Sequence, residues 1–202
     1  MTHDLRFQVM MIPSVPWPEY LDRFLHVEDL GFEVAGLPDH FCDWANPTAP
    51  WLEAWTALAA VAARTSTLRL ATCVSQIPLR NPAILANQAV TVDRISNGRV
   101  EVGLGTGLTI DPSYEMTGLP NWTNGERVAR FGEYVELLGK LVAGDGTTVT
   151  DYSGKYYRAD GAVMNPGPVQ QPRVPIMVAA LGPQMMHHAA RHADIWNTMS
   201  FA

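Results

Sequence analysis

The 202-residue sequence has only two cysteines, Cys42 and Cys73, and its 14 Lys and Arg residues form no basic run. Two cysteines are too few for a disulfide framework. A sequence with so few cysteines is typical of a protein in a reducing compartment. The net charge of −6 argues against the basic surface that a nucleic-acid-binding protein usually presents. We therefore expect no nucleic-acid partner.

Long apolar segments are also absent. The longest apolar run, around residues 54–63, is much shorter than the roughly 20 residues that cross a bilayer. Residues 1–6 do not show the basic start and apolar core of a signal peptide. These absences predict a cytoplasmic protein with no membrane partner.

Short β-rich runs alternate along the chain with helical patterns, which is typical of a parallel α/β fold. The predicted strands cover residues 5–12, 32–37, 67–74, 99–104, 174–180 and 194–198. The predicted helices begin at Pro18, Trp51, Pro82 and Pro183, and a further one begins at Asn124 as its N-cap. Residues 147–175, rich in Tyr, Gly and Pro, predict an excursion with a short hairpin between the fourth helix and the fifth strand.

The alternation predicts a single α/β domain over residues 1–202, and its six units fit a TIM-type (β/α) barrel that is truncated after the sixth strand. A closed barrel needs eight units and about 250 residues. Six units leave an open sheet edge on each side, so we expect a fragment, a natural short form or part of an oligomer. An open, doubly wound sheet is the alternative fold.

In parallel α/β folds the working residues lie at the carboxyl ends of the strands. Asp39 and His40 follow the second predicted strand, with Phe41 and Trp44 close behind. A histidine exchanges a proton near neutral pH, a neighbouring carboxylate can orient it, and aromatic rings can wall a flat ligand. A polar turn with a hydrogen-bonded surface histidine is the alternative interpretation.

Small residues follow the next two strands. Thr72, Cys73 and Val74 would let a planar ring approach the backbone, although an ordinary strand end explains them too. The Gly105-Thr106-Gly107 stretch could admit a ring or phosphate to backbone N–H groups. It is not a dinucleotide-binding fingerprint because Leu108 occupies the position of the third glycine, and tight-turn glycines are the alternative.

His188 and His192 are four residues apart on a predicted helix, a spacing that can bind zinc. Neither a third ligand nor a catalytic glutamate accompanies them in the motif. We therefore predict no metal site.

Six stretches, in this order and spacing, together resemble the luciferase-like monooxygenase family, and within it the branch that uses the deazaflavin coenzyme F-420. They cover residues 36–41, 67–72, 78–82, 93–101, 103–107 and 190–196. The resemblance implies a flavin-type ring across the barrel mouth, with Asp39 contacting the ring, His40 transferring a proton and Trp44 holding the substrate.

The resemblance also implies a set of cofactor-binding residues. Thr72, Cys73 and Val74 would pass beneath the ring, with a cis peptide bond between Cys73 and Val74. Two further groups of residues would line the cofactor edge and approach its tail phosphate. The edge residues are Gly105, Thr106 and Gly107, and the tail residues are Ala179, Ala180, Leu181 and Gly182.

The function that the resemblance implies is hydride transfer between coenzyme F-420 and a small organic substrate, either an alcohol or an unsaturated bond. Deazaflavin sugar-phosphate dehydrogenases have a glutamate proton donor where this chain has Leu108, which argues against that substrate. The alternatives are an FMN-dependent monooxygenase of the same fold, a non-catalytic flavin-binding protein or inactive fragment, and an unrelated α/β binding module. Family relatives are commonly dimers, and we expect a homodimer.

Overall fold

The computed structural model describes residues 6–198 as alternating strands and helices. In chain order the elements are β1 (Gln8–Met10), α1 (Trp17–Asp29), β2 (Val34–Asp39), α2 (Ala54–Ala62), β3 (Arg69–Gln76), α3 (Pro82–Ser96), β4 (Val100–Gly105), α4 (Ser113–Thr117), α5 (Asn124–Leu141), β5 (Thr150–Ser153), β6 (Arg158–Ala162), β7 (Ile176–Ala179), α6 (Pro183–His192) and β8 (Ile195–Asn197). A short 3-10 turn, Ile77–Leu79, follows β3.

Six strands form one parallel sheet in the order β1-β2-β3-β4-β7-β8. Each new strand of this sheet therefore adds to the same growing edge. A doubly wound sheet reverses direction at a switch point, so this order excludes that alternative. The predicted truncated barrel is confirmed.

The central strands β2 and β4 are buried on both faces, as expected of a parallel sheet with helices packed against it. Every residue of β2 and of β4 is buried. Leu37 and Val102 in these strands belong to the same core as Phe24 of α1, Leu58 of α2 and Leu138 of α5. Burying one such side chain contributes about 2 kcal/mol to the free energy of unfolding. None of the helices within residues 6–198 is long and apolar enough to cross a membrane.

Three predicted boundaries were wrong because local contacts decide them. β1 covers Gln8–Met10 rather than residues 5–12, of which Leu5 lies outside the described residues. α2 begins at Ala54 because the Glu53 carboxylate accepts hydrogen bonds from the first helical N–H groups, and Trp51 therefore lies in the preceding loop. The N-cap of α5 is Thr123 rather than Asn124.

The predicted excursion is confirmed as the antiparallel hairpin β5–β6 between α5 and β7. Glu133 on α5 holds its turn, since the carboxylate accepts hydrogen bonds from the backbone N–H groups of Tyr156 at 2.7 Å and Tyr157 at 3.1 Å. The short helix α4, which lies between β4 and α5, was not predicted, because five residues are too few to show a helical period.

The start of β3 is anchored to α1 by one carboxylate. Glu28 Oε1 accepts hydrogen bonds from the backbone N–H groups of Ser66 at 2.8 Å, Thr67 at 2.6 Å and Leu68 at 2.9 Å. Partial burial by itself would raise the pKa of Glu28, but these hydrogen bonds outweigh it and lower the pKa below its ordinary value of 4.5.

We expect Glu28→Gln to lower the free energy of unfolding at neutral pH by about 1–2 kcal/mol, because a charged acceptor becomes a neutral one. The pKa is lower in the folded state, so the advantage of Glu28 is present above the ordinary pKa of 4.5. It is lost as the pH falls through the lowered value. Urea unfolding of both proteins between neutral and acidic pH measures this difference.

The matched control is Glu19→Gln on the same helix. Glu19 makes only an exposed ion pair with Arg23, so this change should cost less than about 0.5 kcal/mol. Equal losses in the two variants, or a Glu28 effect that does not change with pH, would contradict the assignment.

Candidate active site

His40 lies at the carboxyl edge of the sheet, immediately after β2, and its imidazole contacts residues from the ends of two further strands. His40 Nδ1 is 2.6 Å from Asp111 Oδ2 and 2.8 Å from Gln76 Nε2. Gln76 ends β3, and Asp111 lies in the loop after β4. Parallel strands end at one edge of a sheet, which brings together residues 36 and 71 positions apart.

A buried polar network supports the two partners of His40, Gln76 and Asp111. The Tyr114 hydroxyl donates to Gln76 Oε1, which orients the Gln76 amide so that its nitrogen points to His40 and Asp111. Arg127 donates to the Tyr114 oxygen at 3.2 Å and to the Thr106 carbonyl at 2.8 Å. The network links the end of β3 to α5, so the position of His40 depends on both.

The environment of Asp111 favours its ionised form. Burial alone would raise the pKa of Asp111, but hydrogen bonds with His40, Ser113 and Gln76 outweigh it and hold the pKa well below its ordinary value. Only 2% of the Asp111 side chain is exposed, against 20% for His40. The site therefore contains a buried anion in contact with a partly accessible imidazole.

Asp39, the predicted ring contact, is buried with its carboxylate already bonded. Arg80 donates to Oδ2 at 2.6 Å and to Oδ1 at 2.7 Å, and the Ser75 hydroxyl donates to Oδ2 at 2.6 Å. Trp55 in turn donates to Ser75 at 3.0 Å. A ring that contacted the Asp39 carboxylate would have to compete with these hydrogen bonds.

The predicted cis peptide bond between Cys73 and Val74 is confirmed. Both residues are partly exposed at the strand end, whereas Thr72 is buried and its hydroxyl bonds the N–H and C=O of Gly103. Burial raises the pKa of the Cys73 thiol, although a hydrogen bond with Gln8 opposes it. The thiol is therefore protonated at neutral pH and unsuited to act as a nucleophile.

The two glycines that follow in β4 and its loop have close protein neighbours. A Cβ on Gly105 would lie 2.5 Å from Val74 Cγ2. Gly107 has a φ of +74, and a Cβ there would lie 2.1 Å from the Tyr114 oxygen and 2.5 Å from Gln76 Oε1. Packing of strand ends therefore accounts for both glycines, and their role with Thr106 at a cofactor edge stays a prediction.

The predicted tail residues lie at the end of β7 and the start of α6. Ala179 ends the strand, Ala180 is buried, and Leu181 is exposed. Gly182 is the N-cap of α6. Among residues 6–198 no side chain caps this helix, and beyond the two chain neighbours of Gly182 no heavy atom lies within 4 Å of where its Cβ would be. An open helix N-terminus has the donors and the dipole that suit a phosphate, so these residues fit the tail of the expected cofactor.

The aromatic ring that packs on His40 is that of Trp51, a residue that sequence reasoning missed. The two rings meet edge to face with centroids 6.0 Å apart, and Trp51 Nε1 donates to the His40 carbonyl at 3.0 Å. Trp44, the predicted substrate contact, lies further along the loop after His40 and is 47% exposed. Trp51 follows Pro50, and this proline could have indicated that Trp51 lies in the loop before α2.

The two histidines considered for metal binding lie on α6 with stacked rings, 6.4 Å between centroids. Within residues 6–198, no group of three or more His, Cys, Asp or Glu side chains could hold a metal ion. Burial, then the neighbouring His187 and Arg191, lowers the pKa of His188, which is therefore neutral at pH 7.

The sequentially wound parallel sheet with a hydrogen-bonded histidine at its carboxyl edge is typical of barrel-type α/β folds, whose active sites lie at that edge. The chain belongs to the luciferase-like monooxygenase family, whose model matches residues 4–202. The predicted resemblance is thereby confirmed.

Individual relatives agree with this assignment. The chain is 37% identical, over 87% of its length and 51% of the relative's, to an F-420-dependent glucose-6-phosphate dehydrogenase from Nocardia farcinica. An F-420-dependent secondary alcohol dehydrogenase, solved with an F-420-acetone adduct, has 25% identity and a TM-score of 0.82, covering 96% of this chain and 58% of its own. A monooxygenase from Streptomyces bottropensis has 27% identity and a TM-score of 0.76, covering 93% and 57%.

The chain spans about half the length of the curated relatives that it matches, 51% for the Nocardia farcinica protein. The matched half contains His40, Gln76 and Asp111, and therefore the hydrogen-bonded histidine with both of its polar partners.

Proposed function

We propose that the protein transfers hydride between coenzyme F-420 and a small neutral alcohol or its carbonyl product. The observation that carries the proposal is a partly exposed histidine at the barrel mouth, in contact with a buried carboxylate. The names of the Nocardia farcinica relative and of the solved alcohol dehydrogenase support F-420 as the cofactor.

The residues divide the work between binding and proton transfer. The cofactor, when bound, supplies the hydride chemistry. His40 accepts the hydroxyl proton of the alcohol, the Cys73–Val74 strand end supports the ring, and Trp44 contacts the substrate. Residues 179–182 bind the tail phosphate through the N-terminus of α6.

The loops at the mouth favour a neutral substrate over a phosphorylated sugar. Residues 38–53, 106–123 and 180–182 contain no Lys or Arg. Arg80, in the loop between β3 and α3, is already paired with Asp39 and Glu53. These loops instead expose apolar side chains, namely Phe41, Leu108, Ile110, Leu119 and Leu181. A phosphate group gains most from an unpaired cation, which these loops do not provide.

An FMN-dependent monooxygenase is the second candidate, and the similarity to the Streptomyces bottropensis monooxygenase supports it. Substrate-dependent oxygen consumption with reduced FMN would favour this function over hydride transfer to F-420.

We further propose that the protein is a single-domain cytoplasmic homodimer. In the described residues β1 pairs only with β2 and β8 only with β7, so both edges offer unpaired backbone groups. Both cysteines are free, in keeping with a reducing compartment. Sedimentation equilibrium of the purified protein would give its mass in solution.

Fluorescence titration with F-420 and, separately, FMN tests the cofactor, and 2-propanol oxidation tests the reaction. We expect F-420 to bind more tightly than FMN. His40→Ala should leave the dissociation constant within about threefold and lower kcat by about 10²–10⁴-fold, because general-base catalysis contributes that much.

The control variant is His26→Ala, an exposed residue on α1, which should change neither quantity. If neither cofactor binds, or if His40→Ala turns over 2-propanol as fast as the unchanged protein, the proposed function is wrong.

A further inference from the structure

We propose that Asp111 is the positioning residue of the proton-transfer step, holding the proton of neutral His40 on Nδ1 so that Nε2 is the atom that accepts the substrate proton. The inference rests on the proposed function for the substrate, but the tautomer that it assigns is a property of the protein alone.

The Asp111 carboxylate faces hydrogen-bond donors with both of its oxygens. Its Oδ1 accepts the backbone N–H of Ser113 at 2.8 Å, and its Oδ2 faces His40 Nδ1 at 2.6 Å and Gln76 Nε2 at 2.8 Å. An ionised carboxylate has no proton to donate. At 2.6 Å, an unprotonated Nδ1 would direct its lone pair at an anion, so the proton lies on Nδ1.

Gln76 is the other polar group that faces His40 Nδ1. Gln76 Nε2 lies 2.8 Å from Nδ1 and could donate to it in the opposite tautomer. Its orientation is set from behind by Tyr114, which donates to Oε1, so the same amide nitrogen also donates to Asp111. Asp111 Oδ2 therefore accepts from the Gln76 amide nitrogen and from His40 Nδ1, so Nδ1 is a hydrogen-bond donor.

The other imidazole nitrogen of His40, Nε2, has a different environment. Within residues 6–198, Nε2 of His40 makes no hydrogen bond, while Nδ1 contacts two polar groups and Trp51 holds the His40 carbonyl. The ring is therefore held from one side and retains an unused acceptor on the other.

The Asp111 carboxylate matters more because position 108 is a leucine. This position lacks the glutamate that the family resemblance suggests as a proton donor, and the Leu108 side chain is exposed. The other charged groups near the site are engaged elsewhere: Asp39 with Arg80, and Arg127 with Tyr114 and backbone carbonyls. Asp111 is the carboxylate in contact with the imidazole.

Alcohol oxidation breaks a C–H bond and an O–H bond of the substrate. The carbinol C–H bond breaks and its electron pair leaves with the hydrogen as hydride to oxidised F-420. The O–H bond breaks, its proton goes to His40 Nε2, and a C=O bond forms. His40 becomes an imidazolium with both nitrogens protonated, and the anion 2.6 Å from Nδ1 stabilises the new charge.

The test is a long-range proton–nitrogen NMR spectrum of cofactor-free protein labelled with ¹⁵N-histidine, with the His40 signals assigned by His40→Gln. At a pH where His40 is neutral, we expect the Nδ1–H tautomer in the unchanged protein. In Asp111→Asn an amide N–H can donate to Nδ1, so the population should shift toward Nε2–H. In turnover, kcat should fall about 10²–10⁴-fold with KM within about threefold.

The matched control is Glu115→Gln, an exposed carboxylate on α4 that should alter neither tautomer nor kcat. An Nε2–H tautomer in the unchanged protein overturns the inference even if Asp111→Asn does not fold. An Nδ1–H tautomer that Asp111→Asn leaves unchanged also overturns it. An Nδ1–H tautomer in a protein that binds neither cofactor would refute the proposed function and leave the assigned tautomer, and the hold of Asp111 on it, intact.

Discussion

Gly103→Ala is expected to lower the free energy of unfolding by more than about 4 kcal/mol, an unusually large effect for the addition of one methyl group. A Cβ at this position would lie 1.9 Å from the backbone oxygen of Thr72 and 2.7 Å from the Met177 side chain. Met177 can adopt another rotamer, but the Thr72 oxygen belongs to the neighbouring strand β3. Relief of the clash therefore requires the two central strands to separate.

The same separation would break further hydrogen bonds. The Thr72 hydroxyl donates to the Gly103 carbonyl at 2.9 Å and accepts from its N–H at 3.0 Å. The register of β3 on β4 already shifts between Ala71 and Ser75, so this hydroxyl joins the strands where their regular pairing is interrupted. Thermal and urea unfolding would measure the loss.

Gly125→Ala is the matched control. Gly125 lies in the first turn of α5, and in the described part of the chain no heavy atom outside its own helix turn lies within 4 Å of where its Cβ would be. We expect this change to be neutral or to stabilise by up to about 1 kcal/mol, because alanine favours the helix. If Gly103→Ala were equally well tolerated, the close approach of the two strands would be wrong.

Arg127→Met is expected to lower the free energy of unfolding by about 3–5 kcal/mol, because it leaves partly buried carbonyl groups without their donor. Arg127 is 1% exposed and donates to the carbonyls of Thr106 and Trp122, each at 2.8 Å, and to Asn121 Oδ1 at 2.6 Å. Its guanidinium also lies 4.6 Å from the centroid of the Tyr114 ring. Methionine fills a similar volume but supplies none of these hydrogen bonds.

The change should also be visible as local opening. Arg127 holds both ends of the loop between β4 and α5, so faster backbone hydrogen exchange in residues 106–123 should accompany the loss of stability. Arg23→Met removes an exposed arginine that makes only an ion pair with Glu19, and it should cost less than about 0.5 kcal/mol. Similar losses from the two variants would refute the anchoring role.

Much of the fold could be predicted because burial and capping leave local signals. The continuous apolar runs predict the buried strands β2 and β4, and the Asn81-Pro82 pair predicts the start of α3, where Asn81 accepts from the N–H groups of Ala83 and Ile84. Sequence patterns also placed His40 correctly at a strand end. All of these features depend on residues close to one another in the chain.

The partners of His40 could not be predicted because they are far from it in the sequence. The natural candidate was the adjacent Asp39, but successive residues at a strand end point to different sides, and Arg80 neutralises that carboxylate. The actual partner, Asp111, is 71 positions away. Its placement depends on α4 and on Arg127, neither of which leaves a recognisable pattern in the sequence.

The anchoring of the loop between β4 and α5 has a consequence for enzyme engineering. A designer who wished to alter substrate choice would exchange residues 106–123 with those of a relative, since this loop presents apolar side chains at the mouth. Arg127, whose hydrogen bonds hold both ends of this loop, lies on α5 and therefore outside the exchanged segment. A chimaera that moved the loop without a matching residue at position 127 would misplace Asp111, and with it the imidazole that the loop holds in position.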